Sequence, residues 1–121
     1  MAHILVIDDS PTNIFALKTM LEKNDYRVTT AASGEQGVEL ARQGLPDVIL
    51  MDVVMPGLNG FQATRQLSKD PATAAIPVII VSSKDQQTDK VWASRQGAKG
   101  YIVKPFKETE LLGSIKQTLS A

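Results

Sequence analysis

Three acidic residues stand where apolar runs stop. Asp8 and Asp9 follow His3 to Ile7, and Asp52 follows Val48 to Met51, so three carboxylates share one rim if these two runs are neighbouring strands. Three anions placed together repel one another and need a compensating cation. Small octahedral Mg²⁺ suits carboxylates, a backbone carbonyl and waters where no imidazole or thiolate is at hand. A single Asp at a strand end reads as a solvated loop acid; three at two strand ends read that way much less readily. Val78 to Val81 runs into Ser82-Ser83, and Tyr101 to Val103 runs into Lys104-Pro105, which adds a hydroxyl and an ammonium. Acids, a cation, a hydroxyl and a lysine suit phosphoryl transfer: the metal and Lys104 neutralise non-bridging oxygens, Ser82 donates a hydrogen bond, and a carboxylate is the nucleophile. Most lysines are solvated surface residues, but Lys104 lies between a strand and a proline, where rigid backbone aims it. The Lys104-Pro105 bond can be cis or trans on sequence grounds.

The elements that position these groups alternate along the chain. Besides the four runs above, Tyr26 to Thr30 is a weaker fifth strand, and short β-branched-rich runs of this kind are expected in parallel sheets buried on both faces. Between them Ile14, Leu17 and Leu21 recur at helical spacing, as do Leu112, Ile115 and Leu119, while Gly60, Ala63, Thr64 and Leu67 give a small-residue face. Glu35 to Arg42 and Gln86 to Gln96 complete the helices, the latter stopped by Gly97, which suits a left-handed helix end. Five β-α units with right-handed crossovers predict an open, doubly wound α/β sheet. In such sheets the ligand site lies beyond the carboxyl ends of the central strands, where the acids collect.

Composition narrows the function classes. The chain has 121 residues, 43% of them hydrophobic, with 13 basic and 13 acidic side chains, which predicts one domain over residues 1–121 and gives no basic field for nucleic acid or an anionic membrane. The absence of cysteine excludes disulfides, thiolate metal sites and a cysteine nucleophile. His3 is the one histidine, too few for a metal cluster, and reads as a strand-edge residue. No apolar run is long enough for a membrane span, and Met1-Ala2-His3 leads into a strand pattern rather than a signal segment, so a cytoplasmic location is expected. Neither G-x-x-x-x-G-K-[ST] nor G-x-G-x-x-G occurs, which leaves nucleotide binding without motif support. Asp8-Asp9-Ser10 lacks the Asp-x-Asp-x-Thr pattern of aspartyl phosphatases, and with no histidine base, rapid turnover of an external substrate is not expected.

Taken together, Ile7-Asp8-Asp9-Ser10, Leu50-Met51-Asp52, Met55-Pro56-Gly57-Leu58-Asn59-Gly60, Val81-Ser82-Ser83 and Gly97-Ala98-Lys99-Gly100-Tyr101-Ile102-Val103-Lys104-Pro105-Phe106 resemble the receiver domain of two-component response regulators over the whole chain. The resemblance implies a flavodoxin-like (βα)₅ fold with strand order 2-1-3-4-5. It implies Mg²⁺ held by Asp9, Asp52 and the carbonyl of Val54, with Asp8 supporting the metal through water. It further implies phosphorylation of Asp52 by a histidine kinase, Lys104 paired with the phosphoryl group, and Ser82 as the switch hydroxyl. Ser82 replaces the commoner threonine, and Val54 and Lys84 occupy positions that influence access of water to the phosphoryl group. Within the family the chain is similar to stand-alone, chemotaxis (CheY)-like regulators without an output domain. Met55 to Leu67 and Lys84 to Trp92 resemble a regulator of type IV pilus twitching motility. The implied partners are a CheA-like histidine kinase and a motility or pilus-associated output protein, with the receiver itself a monomer.

Two functions compete. In the first, a kinase writes charge at Asp52 and a changed surface is read by a partner, with Tyr101 as the relay; from the residue type alone Tyr101 is an ordinary half-buried strand aromatic. In the second, the chain is a phosphate sink that drains the kinase by repeated phosphorylation and hydrolysis. A pseudo-receiver that binds partners without phosphorylation is disfavoured because every expected site group is present. Trp92 and Phe106 read either as exposed anchors of a binding face or, for Trp92, as packing beneath the fourth helix.

Overall fold

The computed structural model describes residues 1–121. Five strands, β1 (His3–Ile7), β2 (Arg27–Ala31), β3 (Val48–Met51), β4 (Val78–Ser82) and β5 (Gly100–Val103), alternate with five helices, α1 (Pro11–Lys23), α2 (Gly34–Gly44), α3 (Gly60–Lys69), α4 (Gln87–Arg95) and α5 (Glu108–Ser120). All neighbouring strands are parallel, in the order β2-β1-β3-β4-β5. The expected flavodoxin-like sheet is therefore present, with β1 beside β3 and the order reversing between them.

Alternation along the buried strands makes two cores. Leu5, Ile7, Ile49, Met51, Val78 and Ile80 pack with Val38, Ala41, Ala63, Leu67 and Ala93 from α2, α3 and α4. Their neighbours Ile4, Val6, Val48, Leu50, Ile79 and Val81 pack with Leu17, Leu21, Leu111 and Ile115 from α1 and α5. Every residue of β3 is buried, as its central place requires, whereas edge strand β2 buries only Ala31.

The helix starts follow from side-chain caps. Ser10 accepts the Asn13 N–H ahead of α1, Ser33 accepts that of Gln36 ahead of α2, and Asn59 and Gln62 exchange bonds at the start of α3. Gly97 ends α4 at φ +107°, the left-handed conformation expected of it.

Several details correct the sequence reading or decide between its alternatives. On α5 the buried pair is Leu111 and Ile115; Leu112 is half-buried and Leu119 is exposed, because the spacing i, i+4 fits the sheet better than the outer stripe. The second strand runs one residue later, from Arg27 to Ala31. His3 opens β1, at the end of a strand flanked by β2 and β3. Trp92 is 49% exposed rather than packed beneath α4, whose buried residue is Ala93. Phe106 is half-buried against the α1/α5 core. The Lys104-Pro105 bond is cis.

Candidate functional site

The carboxyl ends of β1, β3, β4 and β5 converge on one rim. Backbone pairing carries the ladder one step past the strands: the Asp52 N–H donates to the Ile7 carbonyl at 2.9 Å, and the Asp8 N–H to the Ala31 carbonyl at 3.1 Å. Likewise the Lys104 N–H donates to the Ser82 carbonyl at 2.9 Å. These bonds hold the side chains by rigid backbone rather than by free loops.

Carboxylate oxygens of Asp8, Asp9 and Asp52 lie within 4.8 Å of one another. Asp8 is buried, Asp52 half-buried and Asp9 exposed, so the cluster opens to solvent on the Asp9 side. Lys104 Nζ stands 3.3 Å from Asp8 Oδ2 and 3.6 Å from Asp52 Oδ1. One ammonium faces three carboxylates, which leaves an excess of negative charge around Asp52. Burial, followed by the charge of Asp8, raises the Asp52 carboxyl above its ordinary pKa, with Asp9 adding to the rise, while Lys104 and the Val53 backbone N–H pull it down. A hard divalent cation fits this donor set of oxygens without sulfur or imidazole.

Ser82 is buried at the end of β4, and its Oγ accepts the Lys84 N–H at 3.2 Å. Val54, by contrast, is 62% exposed between the buried Val53 and Met55. Tyr101 is half-buried on β5, and its hydroxyl donates to the Lys84 carbonyl at 2.8 Å. Asp8, Asp9, Asp52, Ser82 and Lys104 thus gather at this rim, and Val54 and Tyr101 border it.

Asn13 was missed. Its Nδ2 donates to Asp8 Oδ2 at 3.4 Å, while the Ser10 N–H donates to Asp8 Oδ1 at 2.9 Å. The signal was available: Ser10-Pro11 marks the helix start, so Asn13 falls in the first turn, directly above the strand end. His3 lies at the opposite end of the sheet, with Nε2 2.7 Å from Thr29 Oγ1, and has no part in the site.

Comparison with known proteins agrees with this geometry. The family model of the response regulator receiver domain matches residues 4–116. Protein PilH of Pseudomonas aeruginosa is 61% identical over 120 residues, covering 99% of each chain. The structure of chemotaxis protein CheY4 of Vibrio cholerae superposes with a TM-score of 0.92 at 29% identity, over 98% of each chain. The receiver domain of a Pseudomonas aeruginosa sensor histidine kinase, solved with a magnesium ion coordinated in its active site cleft, gives 0.92 at 32% identity, over 99% of this chain and 98% of that one. With its sheet order, its acidic rim and these relatives, the chain belongs to the response regulator receiver family of two-component signalling.

Proposed function

We propose that the chain is a stand-alone response regulator that accepts a phosphoryl group on Asp52 from a CheA-like histidine kinase and thereby alters its partner-binding surface in the control of type IV pilus or related motility. The observation that carries the reading is the Asp52 carboxylate at the end of the central strand, 3.6 Å from Lys104 and grouped with Asp8 and Asp9. The near-complete mutual coverage with PilH supports a role of the same kind.

In this reading Asp9, Asp52 and the Val54 carbonyl hold Mg²⁺, with Asp8 supporting it, and the ion supplies charge neutralisation to the phosphoryl oxygens when bound. An Asp52 oxygen attacks phosphorus, the bond from phosphorus to the donor imidazole breaks, and the imidazole leaves with its electron pair. Lys104 turns from Asp52 to a phosphoryl oxygen, and Ser82 donates its hydroxyl to another. No helix is long and apolar enough to cross a membrane.

Incubation with acetyl phosphate, followed by mass spectrometry, tests the assignment. The phosphoryl adduct is expected on Asp52, dependent on Mg²⁺ and absent from Asp52→Asn. Labelling of another residue, or labelling indifferent to Mg²⁺, overturns it. Co-purification from the phosphorylated and unphosphorylated forms then names the output partner, and an identical partner set for the two forms rejects the switch in favour of a phosphate sink.

A further inference from the structure

The segment from Val53 to Asn59 carries the Val54 carbonyl, yet it has little of its own to hold it. Val53 and Met55 are buried anchors, and the Val53 carbonyl accepts the Gly60 N–H at 2.9 Å. Beyond Met55 the chain turns through Pro56 and Gly57, the latter at φ +73°. Between Val54 and Leu58 one backbone N–H finds a protein partner: that of Leu58, which donates to Glu35 Oε2 at 3.2 Å.

Glu35 belongs to a different layer of the fold, the first turn of α2, and its approach to the loop is close. A Cβ added to Gly57 would meet Glu35 Oε2 at 2.7 Å, and one added to Gly34 would meet the Leu58 carbonyl oxygen at 2.4 Å. The start of α2 therefore rests directly on the Gly57-Leu58 backbone, with glycine on each side of the contact. The carboxylate also sits where the helix dipole favours an anion, so its position does not depend on the loop alone.

We propose that Glu35 is a positioning residue of the phosphorylation site, holding the β3–α3 segment from α2 so that the Val54 carbonyl is presented to the metal. This rests on the reading that Asp9, Asp52 and the Val54 carbonyl are the metal ligands. What Glu35 supplies is an acceptor, not a charge. An amide at the same place still accepts from Leu58, whereas alanine leaves the loop without its cross-layer bond.

The test is Mg²⁺ titration of the full chain, followed by backbone amide chemical shifts, on wild type, Glu35→Ala, Glu35→Gln and Asp9→Asn. Loss of one exposed backbone bond that preorganises a ligand is expected to weaken Mg²⁺ binding in Glu35→Ala by about three- to tenfold, with Glu35→Gln within about twofold of wild type. The Leu58 amide should exchange with solvent faster in Glu35→Ala than in either wild type or Glu35→Gln. A merely structural Glu35 would change melting temperature without moving Mg²⁺ affinity. Unchanged affinity in Glu35→Ala beside lost affinity in Asp9→Asn overturns the positioning role and leaves the metal site standing. Unchanged affinity in Asp9→Asn overturns the metal reading itself. Should Glu35→Ala fail to fold, slow exchange of the Leu58 amide in Glu35→Gln alone decides: exchange as fast as that of Gly57 rejects the bond.

Discussion

The Tyr101 hydroxyl donates to the Lys84 carbonyl at 2.8 Å, and the Lys84 N–H donates to Ser82 Oγ at 3.2 Å. One residue thus joins the buried hydroxyl at the acidic rim to the aromatic on β5. If Ser82 is drawn to a phosphoryl group, the Lys84 peptide loses a partner and Tyr101 loses its fixed acceptor. Tyr101→Phe removes the bond and keeps the ring. Trp92 is exposed on α4, which packs against β5, so its fluorescence is expected to change when wild type is phosphorylated. Tyr101→Phe should phosphorylate normally with acetyl phosphate, cost about 1 kcal/mol or less in stability, and blunt that change. A full Trp92 response in this variant would exclude the path through Lys84.

Ser82 and Lys104 should separate reading the phosphoryl group from making it. Ser82→Ala removes the hydroxyl, and Lys104→Arg replaces a compact ammonium with a planar fork that fits the space between Asp8 and Asp52 differently. Both are expected to retain labelling at Asp52 and to lose most of the fluorescence and partner response to beryllofluoride with Mg²⁺. Wild-type responses from both would show that neither side chain transmits the signal.

Asp52→Asn bears on stability as well as labelling. Burial and the neighbouring Asp8 raise the Asp52 pKa, so its ionised form is disfavoured in the fold, and this destabilisation is present at neutral pH and relieved as pH falls through the folded value. The amide carries no charge. In metal-free buffer at neutral pH the variant should melt a few degrees higher than wild type, and added Mg²⁺ should raise the wild-type melting temperature more than the variant's. A lower melting point for Asp52→Asn without metal would contradict the repulsion among the three acids.

How far the sequence reveals this molecule depends on which force decides each residue. The strands of the buried sheet are legible because β3 and β4 bury every side chain, leaving an uninterrupted apolar run. Asp8, Asp52, Ser82 and Lys104 are legible because each stands just at or beyond such a run. The α5 face is not: Leu111, Leu112, Ile115 and Leu119 offer two overlapping stripes, and only the sheet beneath selects Leu111 with Ile115. Trp92 illustrates the opposite difficulty, since its size suggests burial while α4 turns Ala93 inward. Glu35 gave no signal because its partner is a backbone N–H remote in the chain.

Gly60 shows why the inner face of α3 is built of small residues. A Cβ there would meet the Asp52 carbonyl oxygen at 2.0 Å and the Val53 Cα at 2.8 Å, both backbone atoms of the strand end that carries the site. Nothing flexible can give way. Gly60→Ala should therefore destabilise by about 2–4 kcal/mol despite alanine's better helix propensity, and should lower Mg²⁺ affinity with it. Denaturant unfolding measures the first effect; a stability equal to or above wild type would mean that α3 can slide from the strand end at no cost.

His3 should impose a pH dependence on stability from the end of the sheet remote from the site. Its Nε2 lies 2.7 Å from Thr29 Oγ1, while its Nδ1 is buried without a hydrogen-bond partner. A neutral ring tolerates this, since Nδ1 can remain an unprotonated acceptor, but protonation would bury an N–H with nothing to receive it. Burial and then the charge of Arg27 lower the His3 pKa below its ordinary value, with Asp47 opposing them. Because the folded value is depressed, the unfolded chain binds the proton first as pH falls. Stability from this residue is complete above the unfolded pKa of about 6.5 and is lost as pH drops from there toward the folded value. His3→Gln keeps a polar side chain and removes the titration. The stability of wild type relative to His3→Gln, measured by urea unfolding, should therefore rise from about pH 5 to about pH 7.5 and level off above. A difference that stays flat, or that falls with rising pH, would show that the ring accepts its proton in the folded state as readily as in the unfolded chain.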